Sequence, residues 1–116
     1  MAHMKLVQGI VRTERVPDVV RALEDAQVGR LYVSHVHALG AGVDPRQVQP
    51  AMEEGEGYTE KARVEFVCRV DRVDALVELV RGHAHTGHRG DGVLIISDLD
   101  DVVSVRTGER DRLALL

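Results

Sequence analysis

Aromatic side chains are nearly missing from this chain: they make up 3% of its 116 residues, with no Trp, one Phe and two Tyr. A protein that holds single-stranded nucleic acid needs rings on which bases stack. The net charge of −4 also leaves no basic face for a phosphate backbone. Nucleic acid is therefore excluded as a partner. Cysteine is scarce as well, and a single Cys68 closes no internal disulfide. No run approaches the roughly 18 apolar residues of a membrane span, and no signal-peptide pattern opens the chain. The expectation is a cytoplasmic protein that inserts in no membrane. Met1 to His3 stand before a second methionine that begins the first strand pattern, so we read residues 1–3 as an added remnant and do not count His3 as a metal ligand.

What is present is an ordinary globular composition, 44% hydrophobic and 29% charged, which suits one domain over 4–116 with its own core. From Lys5 to Arg12, β-branched and apolar residues lie on both alternating faces, as in a strand. Pro17 suits a first helical turn, and Val16, Val19, Val20, Leu23 and Ala26 recur at helical spacing, with Gly29 expected to end the element within a residue or two. Leu31 to Leu39 reads as a second strand. Periodicity then stops, and Gly40 to Gly57, with Pro45, Pro50 and three glutamates, predicts a mobile binding loop over about 40–60. Between Lys61 and Val70, Ala62, Val64, Phe66 and Cys68 alternate with polar neighbours as a strand. Asp71 is placed to cap a helix whose stripe is Val73, Leu76, Val77, Val80 and Ala84. Val93 to Ser97 is a further strand, and Val103 to Arg106 is expected to be extended. The order βαβ, loop, βαβ predicts an α+β, ferredoxin-like βαββαβ fold, an antiparallel sheet with two helices on one face. Leu6, Val7, Ile10, Val11, Ile95 and Ile96 are apolar on both sides of their strands, and an uncovered apolar sheet face predicts a homo-oligomer.

One stretch suggests chemistry rather than packing. Thr86-Gly87-His88-Arg89-Gly90-Asp91-Gly92 places three glycines between a helix and a strand, where backbone N–H groups can turn toward one anion. Asp91 shapes such a turn by bonding to its backbone more readily than it acts as an acid. His88 lies inside the loop, where a phosphate could approach. Cys68 alternates with core positions and reads as a small buried hydrophobe. His35 and His37 share one strand face, a spacing open to metal, but no third ligand is evident and no metal site is assigned.

These motifs carry a resemblance. The βαβ-loop-βαβ order, the Thr86 to Gly92 stretch and Arg106-Thr107-Gly108-Glu109 together resemble a PII signalling protein, over nearly the whole chain from Met4 to Arg110. The first motif is similar to the family's B-loop (86–93) and the second to its C-loop (104–110). The resemblance implies a homotrimer that binds adenine nucleotides between subunits and docks on a target protein, including a membrane transporter, through a T-loop (40–60). It implies no catalysis and no resident cofactor. By position, Thr86, Gly87, His88, Arg89, Gly90, Asp91 and Gly92 would surround phosphates, Arg106 would add charge, and Ile10, Gly40 and Val67 would lie near base and sugar.

The chain also departs from the family pattern. Val93 stands where the B-loop ends in a phosphate-binding Lys, and Ser104 where the C-loop begins with Arg. Each missing cation removes a charge-assisted contact of about 1.5 to 3 kcal/mol, which favours ADP or AMP over ATP. Glu54 aligns with the uridylylated Tyr, and Gly42 with the Gln that serves magnesium and 2-oxoglutarate in nitrogen-sensing members. The resemblance then falls to the divergent, carboxysome-associated group that responds to adenine nucleotides and bicarbonate, with inorganic carbon metabolism as the setting. Backbone N–H groups and one Arg could hold bicarbonate. The alternatives are a nitrogen-regulatory PII protein that controls a transporter or enzyme, and a CutA-like metal-binding trimer using His35 and His37.

Overall fold

The computed structural model describes residues 3–49 and 57–115. Strand β1 (Met4–Arg12) leads through a 3-10 turn into helix α1 (Val16–Asp25), followed by β2 (Tyr32–Ala38), β3 (Thr59–Arg69), α2 (Val73–Ala84) and β4 (Gly92–Asp98). The four strands form one antiparallel sheet in the order β2-β3-β1-β4. This is the expected ferredoxin-like arrangement.

The period-two pattern of β3 decides which face meets the helices. Ala62, Val64, Phe66 and Cys68 are buried, and the last three join Val7 and Val11 of β1, Val19 and Leu23 of α1 and Leu76 and Val80 of α2 in one core. Burial excludes water around the Cys68 thiol and pushes its pKa up, in keeping with a packed hydrophobe. The opposite face carries Tyr32, Val93 and Ile95, all exposed, with Ile10 and Val67 half-buried.

Local chemistry differs from the sequence expectation at four places. Helix α1 stops at Asp25, and the left-handed residue that ends it is Gln27, at φ 67°, not Gly29. The N–H of Val28 bonds the Leu23 carbonyl at 3.0 Å and that of Gln27 bonds Glu24 at 2.9 Å, while Val28 and Leu23 share the core. That pair of bonds with its apolar contact offsets the cost of a non-glycine left-handed residue. Asp71 does not cap α2: it sits in the 3-10 turn Val70–Arg72 and accepts from Arg69 Nη2 at 3.1 Å.

The segment Val103 to Arg106 is not extended beyond a bridge between Val103 and Arg110. The Gly108 N–H bonds the Ser104 carbonyl at 2.9 Å and the Thr107 N–H bonds the Ser104 hydroxyl at 3.3 Å, which makes this stretch a turn. The 40–60 stretch has regular structure at both ends. Gly40–Gly42 form a 3-10 turn, Gln49 and Tyr58 exchange two backbone bonds of 2.7 and 2.9 Å, and Thr59 and Glu60 already belong to β3. Residues 50–56, with Glu53, Glu54 and Glu56, lie outside the described residues.

Candidate functional site

The sheet register sets Arg12 opposite Lys61, both on the helix-free face. The 40–49 segment and the 86–92 loop close over them, leaving Arg12 2% and Lys61 1% exposed. A guanidinium taken out of water needs its five donors satisfied, and Arg12 achieves this with groups from two loops. Its Nε donates to Asp91 Oδ1 at 2.9 Å. Nη1 donates to Asp44 Oδ2 and to Gln47 Oε1 at 3.4 Å, and Nη2 donates to the carbonyls of His88 at 3.4 Å and Arg89 at 3.1 Å.

Both carboxylates are held in their charged form. Hydrogen bonds from the Arg46 side chain and backbone, then from Arg12, keep the Asp44 carboxyl well below its usual range. For Asp91 burial acts the other way, but donors from Thr86, Arg12 and Gly87 outweigh it and the pKa again falls. Lys61 differs, because its buried Nζ has no hydrogen-bond partner among the described residues. Desolvation and the neighbouring Arg12 charge push its pKa down.

Within the 86–92 loop, Asp91 takes up much of what the glycines offer. The N–H groups of Thr86 and Gly87 each donate to Asp91 Oδ2 at 2.9 Å, the Thr86 hydroxyl donates to Asp91 Oδ1, and the His88 N–H donates to Thr86 Oγ1 at 3.1 Å. The turn-shaping reading of Asp91 therefore holds, with the carboxylate aimed inward. His88 and Arg89 are exposed, and the N–H groups of Arg89 and Gly90 have no acceptor among the described residues.

Two of these glycines answer to packing. At Gly92 (φ +112°) a Cβ would fall on the Ile10 carbonyl oxygen, within the β1–β4 pairing. At Gly90 (φ +97°) a Cβ would stand 2.9 Å from Asp44 Cβ and 3.0 Å from its Cα. The 86–92 loop thus rests directly on the backbone of the 40–49 segment.

The residues singled out from sequence fall into two groups. Thr86 to Gly92, Ile10 and Gly40 gather at the end of the sheet where β1 finishes and β4 begins. Val67 lies six residues along β3 from Lys61, about 20 Å at ~3.4 Å per residue. It lines a cleft of about 480 Å³ with Arg30, Tyr32, Val103, Val105 and Arg106. Arg106 is exposed there, while Arg110 pairs with Asp101 at 2.5 Å. Arg12, Asp44 and Lys61 were not among the candidates. Their one signal in the sequence was a charged residue ending an apolar strand run on each of β1 and β3.

His37 stacks on Tyr58 with ring centroids 3.8 Å apart. Among the described residues no group of three or more His, Cys, Asp or Glu could hold a metal ion, and no helix is long and apolar enough to cross a membrane.

The family model described as nitrogen regulatory protein P-II matches residues 4–109. Nitrogen regulatory protein GlnK of Escherichia coli is 30% identical over 112 residues, which span 97% of this chain and all of that protein. Nitrogen regulatory protein P-II of Synechocystis sp. is 33% identical over the same share of each. The crystal structure of Arabidopsis thaliana PII bound to citrate superposes with a TM-score of 0.79 at 30% identity, covering 97% of this chain and 92% of that one.

Proposed function

The chain belongs to the nitrogen regulatory P-II family of signal-transduction proteins, and on that premise we propose that it senses adenine nucleotides, ADP or AMP ahead of ATP, in clefts between the subunits of a homotrimer. Nucleotide binding then sets the conformation of the 40–60 segment, which docks on a target protein. The observation that carries this reading is the split of the candidate residues between two ends of one sheet face. The 86–92 loop offers backbone donors at the sheet end where Ile10 lies and against Asp44, and the distant cleft offers an apolar wall at Val67 with an exposed Arg106. Neither half encloses a nucleotide alone. A second copy whose Val67 and Arg106 face the first copy's glycine loop completes the site and covers Tyr32, Val93 and Ile95.

The phosphate preference rests on charge. Val93 is 60% exposed at the start of β4, where the family pattern has Lys, and the Ser104 hydroxyl is engaged in shaping its own turn. With Arg106 as the added cation, the cleft suits fewer phosphates than a triphosphate carries. Titration calorimetry with AMP, ADP and ATP, each with and without bicarbonate, tests it. Tighter binding of ADP or AMP is expected, and ATP bound tenfold more tightly than ADP would overturn the preference. Light scattering at the mass of one chain would overturn the shared cleft. Bicarbonate enters as a second ligand, and through it inorganic carbon control, only if its addition changes the nucleotide affinity.

A further inference from the structure

Two loops far apart in sequence share one buried guanidinium. Arg12 donates to Asp44 in the 40–49 segment and to Asp91 and the 88 and 89 carbonyls in the glycine loop. The Gly90 backbone rests on the Asp44 backbone, leaving no room for a side chain between them. Asp44 is itself anchored to the sheet, since its N–H donates to the buried Thr59 hydroxyl at 2.9 Å. A shift of either loop therefore removes an acceptor from a desolvated charge in contact with the other.

We propose that Arg12 and Asp44 form a latch that makes the glycine loop and the root of the 40–60 segment one cooperative unit, so that each loop holds its position only while the other does. Arg12 and Asp44 act here by holding the two loops in position. The latch assigns a physical route for the regulation proposed above, and only the ligand arm of its test rests on that reading. Coupling of this kind is reciprocal: displacing the first loop weakens the hold on the second by the same factor as displacing the second weakens the hold on the first.

Hydrogen exchange read by mass spectrometry on the full chain decides it, with thermal melts to show that each variant folds. Asp44→Asn keeps the shape of the side chain and the Oδ1 acceptor for the Arg46 N–H but removes the charge facing Arg12. The expected result is exchange about tenfold faster in the 84–92 peptide as well as in 43–49, with 62–68 unchanged. Faster exchange confined to 43–49, or none, overturns the latch. Gly90→Ala approaches from the other side and serves alone if the first variant does not fold. It should accelerate 43–49, and a change confined to 84–92 overturns the proposal.

With saturating ADP, wild-type protection should spread from 84–92 to 43–49, and Asp44→Asn should confine it to 84–92. Equal protection of 43–49 in both proteins overturns the latch. If ADP does not bind the wild type, the nucleotide reading fails while the ligand-free comparison still decides the latch.

Discussion

The two ends of the sheet solve opposite problems. At the end where β1 finishes, a buried guanidinium is matched within the chain: Arg12 meets Asp44, Asp91, Gln47 and two carbonyls. At the other end Val103 and Val105 are exposed beside Arg106, with an open cleft of about 480 Å³ between them and Val67. The first end ties two loops of one chain together through a single buried guanidinium. The second leaves apolar surface and a cation in water, which is what a shared ligand or a second copy would cover. Precision and accessibility are thus assigned to different places.

The strongest way to break this contrast is Arg12→Ala. Removing the cation from the buried cluster leaves Asp44 to Arg46 and Asp91 to its own loop donors, and the expected loss is about 3 kcal/mol of stability, measured as a fall in the urea midpoint. Acid should reveal the same cluster. The folded-state pKa values of Asp44 and Asp91 lie below the ordinary carboxylate value, so the stabilisation they give is present above about pH 4 and is lost as pH falls through the folded values. Urea midpoints of the wild type should hold near neutrality and drop below about pH 4, and Arg12→Ala should flatten that drop.

Arg106→Ala probes the open end. Stability should stay within about 0.5 kcal/mol, as for ordinary surface positions. ADP affinity should fall roughly 10- to 100-fold, the equivalent of about 1.5–3 kcal/mol for a lost charge-assisted bond. A calorimetric titration that leaves the affinity unchanged would separate Arg106 from the ligand.

The smallest effect has the opposite sign. Lys61→Met replaces a buried amine that has no hydrogen-bond partner among the described residues by an apolar chain of similar length. It should raise stability by about 1 kcal/mol. The folded pKa of Lys61 lies below its ordinary value, so in the wild type the penalty is full below the folded value and fades as pH rises toward about 10.4. A wild-type gain in urea midpoint as pH rises toward about 10.4 that Lys61→Met lacks would confirm the origin. A lower midpoint for Lys61→Met at pH 7 would mean that the amine is favourably held.

Much of the fold was legible because it is written in local periods. The alternation through β3 and the stripe of α2 each repeat over ten or so residues, long enough to identify element and buried face. The end of α1 was misread because Gly29 is the obvious left-handed residue, whereas a Val28–Leu23 contact made three-dimensional use of Gln27. Thr86 to Gly92 was legible as a turn, and Asp91 as the residue that shapes it. That the turn leans on Asp44 was not.

The sequence alone determined the strands, the helices, the apolar face left over and the position of the glycine loop, since each follows from backbone preference and spacing within a short window. Only the tertiary structure decided that Arg12, Asp44, Lys61 and Asp91 share one dry site. Arg12, Asp44 and Lys61 each look like an ordinary surface charge in their own segments, and Asp91 like a turn residue. Their meaning comes from pairing across separations of up to 79 residues, where closing the chain removes water and turns four unremarkable charges into a single interdependent cluster.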